Sequence, residues 1–75
     1  MNNQRRKQIR EAMIKIENIV NLVQGILDAE QEAFDNMPES IQCSDSGMKS
    51  EDAQENLESA IDALGDAIAC LEEVG

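Results

Sequence analysis

The sequence predicts an all-α fold: an antiparallel helical hairpin with a structured linker, which dimerises into a four-helix bundle or a higher helical oligomer. Three observations predict it. Apolar residues recur in alternating steps of three and four along two long segments, Pro38 interrupts the chain between them, and the two patterns match when one is reversed. At 75 residues the chain forms one small domain, 1–75.

The first helix is predicted over about 4–36. Its seam, the line of positions repeating in steps of four and three, contains Ile9, Met13, Ile16, Val20, Val23, Leu27, Glu30, Phe34 and Met37. A second row lies one position before the seam and contains Ala12, Ile19, Ile26 and Ala33. The resulting stripe, three residues wide in every seven, is typical of a helix in a bundle.

The linker is predicted over 37–49, with a short turn of helix at 38–42 because Pro38 suits a first helical turn. Residues 44–47 have the composition of a turn. The second helix is predicted over about 50–73, with Ser50 as its N-cap. Its seam contains Ser50, Gln54, Leu57, Ile61, Leu64, Ile68 and Leu71, and its second row contains Ala53, Ala60, Ala67 and Val74.

Antiparallel pairing of the two seams places Val20 opposite Leu64 and Leu27 opposite Leu57, so that apolar meets apolar. A slip of one heptad is the main competing register. Further apolar residues lie off the seams and would face water in a monomer: Ile14, Leu22, Ala29, Ala63, Ala69 and Cys70. Because a single helix–helix interface offers few large side chains, we expect a homo-oligomer, at least a dimer.

The formal charge of −10 is unevenly distributed. The first fifteen residues hold five cations against Glu11, whereas the remainder holds Lys49 against fifteen acids. We define the basic tip as Arg5, Arg6, Lys7 and Arg10. In a hairpin this tip lies beside the end of the second helix, so we expect it to pair with Glu72, Glu73 and the terminal carboxylate. An anion-binding site is the alternative.

Two further acidic features are candidates for binding. Glu30 interrupts the apolar seam, and we expect it to pair with Gln54 and fix the register, with a ligand contact as the alternative. The acidic ridge of the second helix consists of Glu51, Glu55, Glu58, Asp62 and Asp66. It is typical of a solvated face, and the alternatives are divalent-metal binding or mimicry of a nucleic-acid backbone that occupies a basic partner.

Composition excludes several function classes. Without His, the chain has no His-based zinc site or catalysis, and Phe34 alone offers no platform for stacking bases. No apolar run is long enough to span a membrane. We therefore predict no enzymatic activity, no cofactor, no metal, no direct nucleic-acid binding and no membrane contact. Cys43 and Cys70 are expected to be reduced thiols in the cytoplasm, with a disulfide or redox switch as the alternative.

Three segments resemble small acidic helical-hairpin proteins of phages and mobile elements of Gram-positive bacteria. They are the basic opening at 5–7, the run EQEAFDNMPESIQ at 30–42, and the closing 57–64 with its Leu, Ala, Ile and Leu residues. The resemblance covers most of the chain and implies a phage or prophage setting and the host cytoplasm as location. By analogy with small acidic phage proteins, it implies that a host enzyme or defence system is blocked.

The leading hypothesis is therefore a non-catalytic, oligomeric interaction protein that binds and inhibits or sequesters a host partner, such as a defence component. The alternative is a sponge-type binder of a phosphate-bearing small molecule, such as a nucleotide signal, through the basic tip. A carboxylate- and metal-dependent nucleotide hydrolase is the least favoured hypothesis. The candidate binding residues lie in the basic tip and the linker: Arg5, Arg6, Arg10, Asn36, Met37, Pro38, Glu39, Ser40 and Gln42.

Overall fold

The computed structural model describes residues 1–74, which form a long hairpin of two helices joined by a short third one. Helix α1 spans Asn3–Asp35, α2 spans Glu39–Gln42 and α3 spans Asp45–Val74. The hairpin measures 58 × 15 × 12 Å, and α1 packs against α3. The predicted all-α hairpin is thus confirmed. No helix within residues 1–74 combines the length and apolar character that crossing a bilayer requires.

Local hydrogen bonds define both ends of α1, each within one residue of the predicted boundary. At the start, the side-chain oxygen of Asn2 accepts the backbone N–H of Arg5 at 2.8 Å, which is an N-cap bond. At the end, the N–H of Met37 donates to the carbonyl of Phe34 at 3.0 Å. Pro38 follows and has no N–H with which to continue the helix.

The seam predicted from the sequence forms the contact between α1 and α3. Every seam residue of both helices is buried or half-buried. Leu27, in the last third of α1, is 4% exposed, and Ser50, near the linker, is 5% exposed. By contrast, the second row of α1 is exposed from Ile19 onward. In the second row of α3, Ala53 and Ala67 are half-buried, whereas Ala60 and Val74 are exposed. The core is therefore mainly the line of seam residues rather than a broad layer.

An open groove on one side of the hairpin shows the register of the two helices. It is lined by Val20 of α1 together with Ile61 and Ile68 of α3. These two α3 residues flank Leu64, the predicted partner of Val20. A slip of one heptad would move the groove by seven residues along α3, so the structure has the predicted register.

Helix α3 begins five residues earlier than predicted, at Asp45 instead of Ser50. The carbonyl of Ser44 accepts the N–H of Met48 at 3.0 Å, which is the first hydrogen bond of the helix. Ser50 is therefore not an N-cap but a buried residue one turn further along. The predicted linker over 37–49 is shorter in the structure, because residues 45–49 are helical.

The absence of a side chain at Gly47 permits this early start beside α2. The sequence indicates a turn glycine, yet its φ is not positive, and it occupies the first turn of α3. A Cβ built on Gly47 would lie 2.7 Å from the Cα of Gln42 and closer still to its carbonyl. The missing side chain thus lets the α2 backbone lie directly against α3. Close approach, and not a change of chain direction, explains this glycine.

Candidate functional site

The loop end, which we define as residues 36–44, is a folded unit that contacts both long helices. Within it, the N–H of Gln42 donates to the carbonyl of Pro38 at 3.0 Å and closes the turn of α2. The Gln42 side-chain amide donates to the carbonyl of Phe34 at 2.9 Å, which ties α2 to the end of α1. On the other side, the Gln42 backbone packs against Gly47 of α3. The connection is therefore fixed at several points.

The predicted binding residues of the loop end differ in exposure. Four of them are exposed: Asn36, Pro38, Glu39 and Ser40. Ile41, which the sequence analysis did not select, lies beside them and is 42% exposed. Met37 and Gln42 are half-buried, and the hydrogen bond to Phe34 gives the Gln42 amide a structural role. The loop end thus has an exposed surface supported by a partly buried base.

The basic tip is exposed and extends past the end of α3 as described. In the observed register Arg10 is level with Val74, so Arg5 lies about 8 Å further along the axis at 1.5 Å per residue. Only Arg10 is therefore level with the last turn of α3, which contains the predicted partners Glu72 and Glu73. The predicted pairing with the terminal carboxylate lies outside the described residues.

A single hairpin does not gather the candidate residues into one site. On α1, Arg6 and Arg10 are four residues apart and share one side, whereas Arg5 is rotated by about 100° from Arg6. The basic tip and the loop end lie at opposite ends of a molecule 58 Å long. One chain therefore offers two separate candidate surfaces, one at each end.

The two long sides of the hairpin differ in chemistry. On one side the acidic groove contains carboxylates from both helices, Glu17 of α1 with Asp62 and Asp66 of α3. Every residue of the predicted acidic ridge is exposed. The sequence analysis missed Glu17 and its neighbour Asn21, which also lines this groove. Their positions flanking the seam are the signal that could have identified them, because equivalent flanking positions meet in an antiparallel pair.

On the opposite side, a second groove is mainly apolar. It is lined by Ile26, Ala29 and Glu30 of α1 and by Ala53, Asn56 and Leu57 of α3. Glu30 is half-buried at its edge. Gln54, its predicted partner, instead donates its amide to the hydroxyl of Ser50 at 3.4 Å. The expected Glu30–Gln54 pair is therefore replaced by a bond within α3.

Within residues 1–74, no group of three or more Cys, Asp and Glu side chains is arranged to hold a metal ion. Cys43, at the loop end, and Cys70, near the end of α3, are free and exposed. Searches of this chain against protein-family models, curated proteins and solved structures gave no match.

Proposed function

We propose that the chain is a non-catalytic interaction protein, active as an oligomer, that binds a host protein through its loop end and inhibits or sequesters it. The folded state of the loop end is the observation that supports this proposal. The Gln42–Phe34 bond and the packing on Gly47 hold the exposed residues in one arrangement. A surface that is ordered before binding loses less conformational entropy on association than a mobile loop does.

The side chains around the loop end indicate the chemistry of the partner. Glu39 and Ile41 are both exposed on α2, and Asp35 and Asp45 are exposed on the adjoining helix ends. A loop end that offers one apolar side chain and several carboxylates complements a basic surface with a small apolar pocket. The high negative charge of the chain also accelerates the approach to a basic partner.

The sequence resemblance to phage and mobile-element proteins extends this proposal to a biological setting. The partner would then be a component of bacterial defence, and the site of action would be the host cytoplasm. This extension rests on analogy, whereas the loop-end surface rests on the geometry described above.

Affinity capture from a Gram-positive host lysate tests the proposal. The tagged chain is compared with the loop-end variant Glu39→Lys/Ile41→Asp and with the control Glu11→Lys/Ile14→Asp, which makes the same changes at exposed α1 positions. We expect one host protein to be enriched about tenfold or more by the unaltered chain and the control, and lost with the loop-end variant. If no captured protein depends on the loop end while circular dichroism shows intact helices, the proposal is wrong.

The projecting basic tip supports a second candidate function, the binding of a phosphate-bearing small molecule. Arg5, Arg6 and Arg10 are exposed on the first turns of α1, and Arg6 and Arg10 share one side of the helix. Calorimetric titration with a panel of mono- and dinucleotides tests this candidate. The triple variant Arg5→Ala/Arg6→Ala/Arg10→Ala should lose binding, and Lys49→Ala should retain it. Equal affinities for the triple variant and the unaltered chain would exclude the basic tip.

A further inference from the structure

The side of the hairpin with the apolar groove carries a second heptad pattern on α1. Its positions are Ile19, Leu22, Ile26, Ala29 and Ala33, in steps of three and four, and all five are exposed. The three large side chains are 46%, 66% and 49% exposed, respectively. The seam against α3 does not use them, so they form a continuous apolar row that no part of the described chain covers.

Helix α3 contributes a matching row of small residues on the same side. Its positions are Ala53, Asn56, Ala60, Ala63, Ala67 and Cys70, in steps of three and four, and all of them except Asn56 are small and apolar. The apolar groove contains Ile26 and Ala29 of the α1 row together with Ala53 of the α3 row, which shows that both rows face the same way. We call the two rows together the apolar face.

Charge distribution separates the apolar face from the rest of the surface. The chain has 16 acidic residues, and none of them lies on either row or on the positions that continue the rows along α1 and α3. Those continuing positions include the cations Arg5, Lys15 and Lys49. Glu30 also lines the apolar groove, but it belongs to the seam and not to either row. In a chain of charge −10, two rows without carboxylates are typical of a surface that becomes buried.

The total surface area of the hairpin is larger than that of a compact protein of the same mass. The hairpin exposes 5543 Å², whereas a compact protein of 8.3 kDa is expected to expose about 4,600 Å². The excess of about 900 Å² belongs to the whole hairpin, which is elongated. One long side of a molecule of 58 × 15 × 12 Å is comparable in extent to the roughly 800 Å² that each partner buries in a standard protein–protein interface, so a second copy lying along that side could form a stable dimer.

We propose that a second copy of the chain covers the apolar face, with α1 of each copy lying over α3 of the other. In this arrangement the large row, centred on Leu22, packs onto the small row at Ala60 and Ala63 of the second copy. This proposal rests on the oligomer in the proposed function and adds the interface through which the oligomer forms. It does not depend on the identity of the host partner.

The side-chain sizes in the two rows favour an arrangement in which α1 lies over α3 of the second copy, and not over its α1. When two hairpins stack face to face, the distance between the facing helices must be similar on both sides of the stack. Large side chains that face small ones on both sides give such equal distances. The alternative would place Leu22 and its neighbours against one another and leave a gap between the two alanine rows. The proposed two-fold axis runs parallel to the helices. It therefore brings both basic tips to one end and both loop ends to the other.

The association is tested by sedimentation equilibrium of the full chain and two charge variants. Leu22→Glu places a carboxylate on the apolar face, and Ile14→Glu places one at a similarly exposed position on another side of α1. We expect a dimer of twice 8.3 kDa for the unaltered chain and for Ile14→Glu. Leu22→Glu should weaken dimerisation by about 100-fold or more, because each dimer would bury two carboxylates.

The outcomes test the oligomeric state and the proposed interface separately. A monomer at about 100 μM for the unaltered chain would overturn both the oligomer and this interface. A dimer that tolerates Leu22→Glu would overturn the interface alone. If Leu22→Glu also loses its helix content while Ile14→Glu does not, folding and association are coupled through the apolar face, which supports the proposal.

A mixing experiment tests which helix lies over which. Leu22→Lys and Ala63→Glu should each prevent self-association, whereas an equimolar mixture should form a heterodimer, because the new lysine then faces the new carboxylate. If α1 lay over α1, the two charges would not meet and mixing would restore nothing. Failure of the mixture to dimerise, with both chains helical, would therefore overturn the proposed arrangement.

The two cysteines supply an independent readout. Cys70 belongs to the apolar face and Cys43 does not, although both are exposed in a single hairpin. In the dimer, Cys70 should react with a thiol reagent at least about tenfold more slowly than Cys43. Leu22→Glu should abolish that difference. Equal rates in the unaltered dimer would contradict the proposed interface.

Discussion

The two ends of the hairpin are held in different ways. At the loop end, α2 is tied to α1 through the Gln42–Phe34 hydrogen bond and packs against α3 at Gly47. At the other end, α1 projects past Val74, and the Asn2 side chain caps its first turn. The short helix α2 thus adds contacts at the loop end to the seam that joins α1 and α3. The comparison teaches that the same two helices offer an acidic surface supported by α2 at the loop end and an exposed, cationic surface at the tip.

The largest effect is expected from Gly47→Ala, which breaks the loop end. A Cβ at this position collides with the Gln42 backbone, which cannot move as a flexible side chain would. We expect the free energy of unfolding to fall by ~2 kcal/mol, after a gain of ~1 kcal/mol in helix propensity is included. Thermal denaturation followed by circular dichroism measures this, as a drop in Tm of about 10 °C.

Gly25→Ala and Gly65→Ala are the matched controls for Gly47→Ala. A Cβ at either position meets no atom within 4 Å, so only the helix propensity changes. Each should raise the free energy of unfolding by ~1 kcal/mol at the same protein concentration. A loss of stability in all three variants would show that Gly47 has no special contact with α2.

An intermediate effect is expected from Gln42→Ala, which removes the side-chain bond between α2 and α1. The Phe34 carbonyl keeps the N–H of Met37 as a donor, so no buried acceptor is left unpaired. The expected loss in the free energy of unfolding is therefore ~1 kcal/mol or slightly less. Urea denaturation measures the change.

Gln24→Ala is the control for Gln42→Ala. Gln24 also donates its amide, to Asp28 at 3.0 Å, but within one exposed face of α1. Such a pair contributes ~0.2–0.5 kcal/mol, and alanine recovers part of it through helix propensity. Equal effects of the two substitutions would mean that the loop end is not fixed by Gln42.

The sequence predicted the seam because apolar side chains at steps of three and four form one stripe on a helix. It favoured the observed register because that register places apolar residues of the two seams opposite each other, although a slip of one heptad keeps the same periodicity. It placed the start of α3 five residues too late because the composition of residues 44–47 also suits a turn. Only the position of the Gln42 backbone reveals that Gly47 serves close approach. The Gln42–Phe34 bond spans eight residues and leaves no periodic signal. Of the acidic groove, the sequence analysis predicted the carboxylates of α3 but not Glu17, which lies on α1.

The smallest effect is expected from Asn2→Ala, which removes the cap at the tip. Loss of an N-cap typically costs ~1 kcal/mol of local helix stability. Because the first turn of α1 is exposed and precedes Ile9, the first residue of the seam, it can open without disturbing the seam, so the Tm should change by less than about 2 °C. Hydrogen exchange should show faster exchange at the amides of Arg5 and Arg6, and no change at the loop end.

Asn3→Ala, which leaves the capping oxygen in place, is the control. If Asn2→Ala lowered the Tm as much as Gly47→Ala does, the tip would be as firmly integrated as the loop end, and the contrast between the two ends would not hold.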